Sequence, residues 1–303
     1  MKLNQLRDLV AIVEHGGLRA AARRLGVAQP LLTRSVRGLE KELGTPLFER
    51  QARGMVLTPL GRLFHERARG MVNELRRARD ELAQAQGSGA GTVIAGLSIM
   101  PHMGLLPRAL PAFRRRYPQV YLQLIEGLFP DLESQLRSGA IDFYLGAAPG
   151  TVPAGFIVEP LFSNTRAVVC RKGHPLARSR SLKALAGAEW ALPSTDYDNQ
   201  DDLARLFQEY GLPAPRVALQ ARTALSMMVA LANSDLLALL PVQWREFDLT
   251  RDSLQVIAVR ESLPAPDIVL IRRAEMPMTP AAEHLCDLMQ RNAPSLQPMR
   301  GRA

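Results

Sequence analysis

Residues 29–41 combine amide, hydroxyl and guanidinium groups on one side of a predicted helix. Apolar residues three or four positions apart form the opposite side: Leu32, Val36, Leu39 and Leu43. The outward groups can hydrogen-bond to phosphates and base edges, and arginine makes the bidentate contacts that guanine accepts; they are Gln29, Thr33, Arg34 and Arg37. The spacing therefore predicts a helix that binds double-stranded DNA, with the apolar Pro30 and Leu31 near its start.

Catalytic motifs are incomplete in this chain. The segment Gly96-Leu-Ser98 lacks the second glycine of a hydrolase nucleophile elbow, and His65-Glu66 lacks the second histidine of a zinc protease motif. Phosphate-binding glycine loops do not occur, and two cysteines cannot supply a tetrahedral metal site. We therefore expect no enzyme activity, no catalytic residue, no metal and no cofactor.

Positive charge is concentrated at the start of the chain. The 303 residues carry a net charge of +9, and residues 1–86 contain 16 Lys and Arg but only 9 Asp and Glu. A compact basic segment favours a polyanionic partner, although an arginine-rich composition is also typical of a GC-rich genome. The sequence has no apolar run of the ~18 residues that span a membrane and no signal peptide pattern, so we expect a cytoplasmic protein.

Three short helices and a hairpin are predicted for residues 1–57. Apolar spacing predicts helices over residues 3–15 and 18–25 before the DNA-binding helix. Two short apolar runs then predict a hairpin with Arg50 and Arg53 at its tip. Helices joined by a tight turn and followed by a basic hairpin are typical of a winged helix-turn-helix, whose hairpin, or wing, contacts the DNA backbone.

Thr58-Pro59 predicts the start of a long helix that ends before the glycine-rich residues 87–91. Its apolar residues recur at intervals of four and three, a heptad pattern typical of a coiled coil; they are Phe64, Ala68, Met71, Leu75, Ala78 and Leu82. We interpret residues 58–90 as a linker and dimerisation helix with a hinge. A seam buried against the same chain is the alternative.

From residue 92 onward strands and helices alternate, which is typical of an α/β domain. Strands are predicted at residues 92–99, 120–126, 141–147, 166–171, 189–192, 217–221, 236–240, 254–259 and 268–272. Helices are predicted at residues 104–116, 131–138, 181–186, 201–210, 226–232 and 280–291. The fold class is therefore α/β with an N-terminal all-α winged helix-turn-helix and a long linker helix.

Residues 18–50 resemble the signature of LysR-type transcriptional regulators, in which A-A-x-x-L-x-x-S-Q-P is followed by L-E and by L-G-x-x-L-F-x-R. The matching residues are Ala21, Ala22, Leu25, Gln29, Pro30, Leu39, Glu40, Leu43, Gly44, Leu47, Phe48 and Arg50. Three further segments are similar to family motifs: Thr58-Pro-Leu-Gly61, Gly139-Ala-Ile-Asp142 and Gly173-His-Pro-Leu-Ala177. A weaker similarity points to the branch that includes a toluenesulfonate-responsive regulator.

The resemblance implies a sequence-specific regulator of transcription that forms a dimer of dimers (a homotetramer), binds an interrupted palindromic operator and contacts RNA polymerase. It implies a periplasmic-binding-protein-like effector domain over residues 91–303, with subdomain I at 91–162 and 266–303 and subdomain II at 163–265. The full set of predicted DNA-binding residues is Arg19, Gln29, Pro30, Leu31, Thr33, Arg34, Arg37, Arg50 and Arg53. A periplasmic-type solute-binding protein is the alternative, which the basic N-terminal residues argue against.

Three residues depart from the family signature. Ala28 replaces the Ser or Thr that caps the DNA-binding helix, Leu31 replaces a small residue, and Thr33 replaces a serine. The lost cap costs about 1 kcal/mol, unless Gln29 caps instead. These departures leave the fold intact and bear on the base preference.

An effector site is expected at strand-end loops, where open α/β sheets bind ligands. The predicted loop Ser98–Gly104 precedes a helix, so its N–H groups and the Ser98 hydroxyl suit a carboxylate or sulfonate. Loop capping, ordinary packing and, for Arg222, a surface salt bridge are the alternatives. We hypothesise that the effector is a small organic acid, with an aromatic acid as one possibility. The predicted residues are Ser98, Met100, Pro101, His102, Leu128, Phe129, Ala147, Ser194, Thr195, Arg222 and Thr223.

Overall fold

The computed structural model describes residues 1–51, 54–87, 89–193, 199–245 and 250–293. The chain forms two compact units: one contains Met1–Thr92 and Ser134–Ile141, and the other contains Val93–Glu133 and the chain from Asp142 onward. Within the described ranges, no helix is both long enough and apolar enough to cross a membrane.

Three helices begin the first unit: α1 at Leu3–Glu14, α2 at Leu18–Leu25 and α3 at Gln29–Leu43. Gly26 and Gly44 end α2 and α3 with φ of 67° and 68°, a left-handed conformation that glycine adopts without strain. The inner side of α3 is buried as predicted at Leu32, Val36 and Leu39, each 3% exposed or less. The prediction for Leu43 is wrong: it is 37% exposed because it lies in the last turn of the helix.

The predicted wing is an antiparallel hairpin of β1 (Phe48–Gln51) and β2 (Gly54–Leu57). A carboxylate on α3 fixes the start of this hairpin. Oε1 of Glu40 accepts hydrogen bonds from the backbone N–H groups of Leu47 at 2.8 Å and Phe48 at 3.1 Å. Helix α3 and the wing are therefore joined by one partly buried carboxylate, which explains the structural role of Glu40 in the L-E motif.

Helix α4 spans Pro59–Ala85 and is 27 residues long, or about 40 Å. Thr58 caps it: its Oγ1 accepts from the Gly61 N–H and donates to the Pro46 carbonyl, both at 2.9 Å. The backbone of Leu47 passes so close to Gly61 that a Cβ there would overlap the Leu47 carbonyl oxygen. Thr58 therefore begins the helix, and Gly61 makes room for the wing.

One face of α4 is hydrogen-bonded to the segment Ser134–Ile141. The donors are three side chains spaced four residues apart, Arg69, Asn73 and Arg77. Their acceptors are the carbonyls of Ser134 at 3.3 Å, Ser138 at 2.9 Å, Gly139 at 3.2 Å and Ile141 at 2.9 Å. Because Arg77 is only 4% exposed, its guanidinium and these carbonyls depend on each other for hydrogen bonding.

A buried histidine lies on α4 near the wing. His65 is 8% exposed, and its Nε2 has no hydrogen-bond partner among the described residues. Burial lowers the pKa of His65 from its usual 6.5; the charge of Arg69 lowers it further, and Glu66 opposes both.

Acidification from about pH 7.5 to about pH 5.5 is expected to destabilise the wild type more than His65→Leu. The unfolded chain takes up a proton near pH 6.5 and the folded chain only at a lower pH, so unfolding is favoured as the pH falls through this window. Urea unfolding of both proteins at the two pH values measures the difference, with the exposed His15→Leu as control. Equal losses in wild type and His65→Leu would contradict the assignment.

The first sheet of the second unit contains β3 (Gly91–Leu97), β4 (Val120–Glu126), β5 (Phe143–Ala147), β6 (Phe156–Phe162) and β12 (Ile268–Arg273). Its strand order is β4-β3-β5-β12-β6. Strand β12 lies between β5 and β6 and is antiparallel to both. The helices that follow or connect these strands are α5 (Ile99–Gly104), α6 (Leu106–Arg116), α7 (Phe129–Arg137) and α10 (Pro280–Asn292). One core cluster is formed by the strands with α6 and α10.

The second sheet contains β7 (Arg166–Arg171), β8 (Glu189–Pro193), β9 (Arg216–Ala221), β10 (Leu237–Pro241) and β11 (Leu254–Ile257). Its order is β11-β7-β10-β8-β9, and its α-helices are α8 (Asn199–Glu209) and α9 (Ala224–Ala232). A 3-10 turn, Leu182–Leu185, replaces the α-helix predicted there. The chain crosses between the sheets after Phe162 and returns after Ile257, and a bridge between Thr165 and Pro264 pairs the two crossovers.

Two differences from the predicted elements have local causes. Strand β6 was not predicted because Pro160 interrupts its apolar run; the strand lies at the sheet edge, where proline is tolerated, and its register shifts beside Pro160. The predicted loop Ser98–Gly104 is largely helix α5, because Ile99 and Met103 pack against the core of the second sheet.

The two short motifs of the second half satisfy backbone groups. Asp142 is 3% exposed, and its Oδ2 accepts from the Ile94 N–H at 2.7 Å. Nδ1 of His174 accepts from the Leu176 N–H at 3.0 Å, which leaves Nε2 to donate to the Asp235 carbonyl at 3.0 Å. These side chains therefore hold strand ends in place.

Candidate nucleic-acid interface

The outer face of α3 presents most of the predicted DNA-binding residues to solvent. Arg34 and Arg37 are exposed, Leu31 is 54% exposed, and Thr33 is partly exposed. An open surface depression is lined by Gln29, Pro30, Thr33, Arg34 and Arg37. The structure thus brings five of the nine predicted residues together at one place.

The arginines of this face are available for an external anion. Arg34 and Arg37 form no ion pair with any other residue that the structure describes. Arg19 is exposed on α2, and so is Arg23 one turn later. The sequence analysis missed Arg23, although its spacing of four from Arg19 was the signal that the two share a helix face.

Helix α3 begins without a side-chain cap. Ala28 occupies the N-cap position in an extended conformation, and no side chain bonds to the first turn. Gln29 is the first helical residue and does not replace the missing cap. Thr33 Oγ1 donates instead to the Gln29 carbonyl at 3.2 Å.

Replacing Ala28 by serine is expected to stabilise the first unit by at most about 1 kcal/mol, because the introduced hydroxyl can accept from the Leu31 N–H only in competition with the Ala28 carbonyl, to which that N–H donates at 2.9 Å. Urea unfolding of Ala28→Ser measures the gain. The matched control is Ala85→Ser, the same change at the exposed last residue of α4, where no cap is possible. A gain of equal size in both variants would show that capping is not the cause.

The remaining arginines of the predicted set are Arg50 and Arg53. Arg50 lies in β1, where its backbone pairs with Met55. Arg53 lies outside the described residues, as do Ser194 and Thr195 of the predicted effector set.

The apolar seam of α4 divides into a covered and an uncovered part. Phe64 and Ala68 pack on the core formed by α1, α3 and the wing, and Ala68 is 1% exposed. For these two residues the same-chain alternative therefore applies. The uncovered part contains Met71 at 53% and Leu82 at 63% exposure, with the exposed Ala78 and the partly exposed Leu75.

Several predicted effector-binding residues are occupied by packing within the chain. Met100 is 2% exposed in the core of the first sheet, next to the buried Pro101. Phe129 is also 2% exposed and packs edge-on against Tyr144 and Phe156, with ring centroids 5.7 and 5.5 Å apart. Met100 and Phe129 therefore pack within the protein itself instead of presenting an apolar surface to a ligand.

Other members of that set remain accessible. His102, Leu128 and Ala147 are partly exposed, and Arg222 and Thr223 are exposed. Ser98, by contrast, is buried at 3% exposure, and its N–H donates to the Leu145 carbonyl at 3.0 Å. The salt-bridge alternative for Arg222 is not observed among the described residues.

At the N-terminus of α9, a backbone N–H group already donates a hydrogen bond to a carboxylate. Thr223 Oγ1 caps the helix by accepting from the Ser226 N–H at 3.1 Å. Oε1 of Glu126, at the end of β4, accepts from the Ala224 N–H at 3.3 Å. Both Glu126 and Arg222 lie at strand ends near the start of α9. The sequence analysis included only Arg222 in the effector set, because the sequence does not indicate that the Glu126 side chain reaches this helix.

Two protein-family models match the chain. Residues 3–62 match the bacterial regulatory helix-turn-helix protein, lysR family. Residues 86–294 match the LysR substrate binding domain. Together the two matches include the three N-terminal helices, the wing, the first turn of α4 and both sheets.

Individual proteins are similar over nearly the whole chain. The HTH-type transcriptional regulator GalR of Pseudomonas putida is 30% identical over 92% of this chain and 70% of that protein. The SDS degradation transcriptional activation protein of a Pseudomonas species is 28% identical over 95% of each chain. Full-length CbnR complexed with its target DNA has a TM-score of 0.69 at 23% identity, covering 97% of this chain and 100% of that one. A full-length OxyR variant from Pseudomonas aeruginosa has a TM-score of 0.71 at 25% identity, covering 96% and 95%.

Proposed function

Because the chain belongs to the LysR family of bacterial DNA-binding transcriptional regulators, we propose that it recognises a specific operator by placing α3 in the major groove. A helix fits that groove, and each base pair presents a distinct pattern of donors and acceptors there. The observation that supports this most directly is the exposed face of α3, where Arg34 and Arg37 lack partners among the described residues. Arg50 and Arg53 of the wing, with Arg19, then contact the DNA backbone.

The proposal assigns residues 1–57 to DNA binding, 58–90 to the linker and dimerisation, and 91–303 to effector binding. The two subdomains of the effector domain are residues 91–162 with 266–303, and 163–265. These last ranges follow the membership of the two sheets.

Dimerisation is proposed through the uncovered part of the α4 seam, Met71 to Leu82. Exposed apolar residues at heptad spacing pack favourably against a second copy of the same helix. Two such dimers would form the tetramer that the family resemblance implies, bind an interrupted palindrome and contact RNA polymerase in the cytoplasm.

Selection of duplexes from a random library by the purified full chain tests the DNA proposal. We expect enrichment of a two-fold symmetric site with half-sites spaced by multiples of about 10 base pairs. Affinity should fall as salt rises, because each phosphate contact releases counterions. No enrichment over random sequence, or binding that salt does not change, would reject the proposal.

We propose that the effector is a small organic acid that binds near the N-terminus of α9. The support is chemical: the exposed Arg222 lies one residue before the capping Thr223, and the Ala224 N–H, which donates to the Glu126 carboxylate, can donate to an acid that displaces that carboxylate. A helix N-terminus favours an anion, and a nearby guanidinium adds to that preference. The SDS degradation activator is a relative whose name refers to an anionic compound.

A thermal-shift screen tests the effector proposal. Carboxylates and sulfonates, aromatic ones included, are expected to raise the melting temperature, because a ligand that binds only the folded state stabilises it. Arg222→Ala should lose the shift, while Arg216→Ala, an exposed arginine at the other end of β9, should keep it. Stabilisation by cationic or sugar ligands alone would reject an acidic effector.

A peroxide-responsive regulator is the second candidate, since the hydrogen peroxide-inducible genes activator of Pectobacterium carotovorum is 29% identical over 96% of this chain. The two cysteines of this chain do not favour that chemistry. Cys170 and Cys286 are buried in separate core clusters. Burial raises the pKa of Cys170 to about 11 and raises that of Cys286 well above its usual value, so the reactive thiolate is scarce at neutral pH.

Hydrogen peroxide is therefore expected to leave the DNA affinity of the native protein unchanged. A thiol reagent should label both cysteines only after unfolding, because the folded chain keeps them buried and protonated. Titration of thiols with and without urea, next to a DNA-binding assay before and after peroxide, provides the measurement. Rapid labelling of the native protein would favour the peroxide-responsive candidate.

A further inference from the structure

The exposed surface of α3 changes chemistry along its length. Near its start Ala28, Pro30 and Leu31 are apolar and exposed, beside the exposed polar side chain of Gln29. One turn later the exposed residues are Arg34 and Arg37, both charged. An isolated exposed leucine is ordinary, but Leu31 continues an apolar surface on the face that we propose to meet DNA.

Thr33 lies two positions after Leu31 and therefore on the other flank of the exposed face, where it lines the depression with Gln29. Its hydroxyl proton is donated to the Gln29 carbonyl at 3.2 Å. A hydroxyl has one proton to give, so Thr33 cannot also donate to a base edge. It offers its methyl group and the remaining acceptor capacity of its oxygen.

Only one chemical group in the major groove can make a favourable apolar contact with such a surface. The floor of the groove presents hydrogen-bond donors and acceptors, and the C5-methyl group of thymine is the apolar exception. Uracil lacks this methyl group and is otherwise the same base. Contact with the methyl group can therefore be measured separately from every hydrogen bond that the base makes.

We infer that Leu31 determines specificity by contacting a thymine C5-methyl group, while Arg34, one turn later on the same side of α3, recognises a guanine close to it. This inference rests on the proposed DNA-binding function and names the bases that it selects. Leu31 and Arg34 are about 4.5 Å apart along the helix axis, and successive base pairs are about 3.4 Å apart. The thymine and the guanine should therefore lie within about one or two base pairs of each other in each half-site.

The experiment replaces thymines of the selected operator by uracil, one symmetric pair at a time. Wild-type affinity is expected to fall about fourfold for each methyl group removed at one position, the size expected for one buried methyl group. Leu31→Ala should bind thymine and uracil duplexes equally at that position, and Leu31→Met should retain the difference. The matched control is Leu60→Ala: Leu60 follows a proline in the first turn of α4 and, like Leu31, is 54% exposed.

The outcomes separate this inference from the proposed function. Failure to select any operator rejects DNA recognition itself. A specific operator without any uracil-sensitive thymine overturns only the role of Leu31, as does a thymine preference that persists in Leu31→Ala. If Leu31→Ala binds too weakly to measure, Leu31→Met decides, and loss of the preference in this apolar variant overturns the inference.

Discussion

Gly61→Ala is expected to unfold or severely destabilise the first unit, by about 3 kcal/mol or more. The added Cβ would overlap the Leu47 carbonyl oxygen and lie 2.9 Å from the carbonyl carbon. Both atoms are backbone, so no side chain can rotate away, and the wing must move off α4. The same carbonyl accepts from the Thr58 N–H at 2.9 Å, so the hydrogen bond at the start of α4 is lost as well.

Gly70→Ala is the matched control for this prediction. Gly70 lies in the same helix, and a Cβ there meets nothing within 4 Å. Alanine favours a helix over glycine, so this variant should be more stable by about 0.5–1 kcal/mol. Urea unfolding compares the two variants. Similar stabilities would show that the wing and α4 do not approach at Gly61 as described.

Arg34→Ala is expected to weaken operator binding about tenfold to a hundredfold and to relax the preference at one or two base pairs. The guanidinium is exposed on the outer face of α3, without an ion-pair partner among the described residues. Its removal therefore takes away the proposed DNA contact without breaking an ion pair among the described residues. Fluorescence anisotropy on the selected operator and on its single-base variants measures both effects.

The control for this loss is Arg115→Ala, an exposed arginine of α6 in the second unit. It changes the net charge by the same amount, so any general electrostatic contribution should be equal in the two variants. Unchanged binding by Arg34→Ala across the operator library would remove Arg34 from the interface. Equal weakening by both variants would show that charge alone accounts for the effect.

The N-terminal fold could be predicted because its signals are local. Glycines end α2 and α3, a threonine caps α4, and apolar residues recur at helical spacing, so each element is specified by its own sequence. The role of Gly61 could not be predicted, because it depends on the approach of Leu47, fourteen positions earlier in the chain. Local sequence patterns indicate where a helix or strand forms, but they do not indicate which part of the backbone packs beside it.

The second half shows the same limit. No strand was predicted at residues 156–162, where β6 contains Pro160; an edge position and a register shift accommodate this proline. Met100 and Phe129 were predicted to face a ligand because they lie near strand ends, yet both are packed inside the chain. The heptad pattern placed Ala68 and Leu82 in one dimerisation seam, but Ala68 is buried against α1 and Leu82 is exposed. Whether such a residue is buried depends on an element distant in the chain, and the spacing of apolar residues does not show which element packs there.

The position of β12 has a consequence for synthesis of the protein on the ribosome. This strand lies inside the first sheet between β5 and β6, but it follows every strand of the second sheet in the chain. The emerging polypeptide therefore completes β11 while β6 still lacks its neighbour. A product truncated before Ile268 would expose the unpaired edges of β5 and β6, which invite pairing with other chains and aggregation. Loss of the last 36 residues should thus be more damaging than its small share of the 303 suggests.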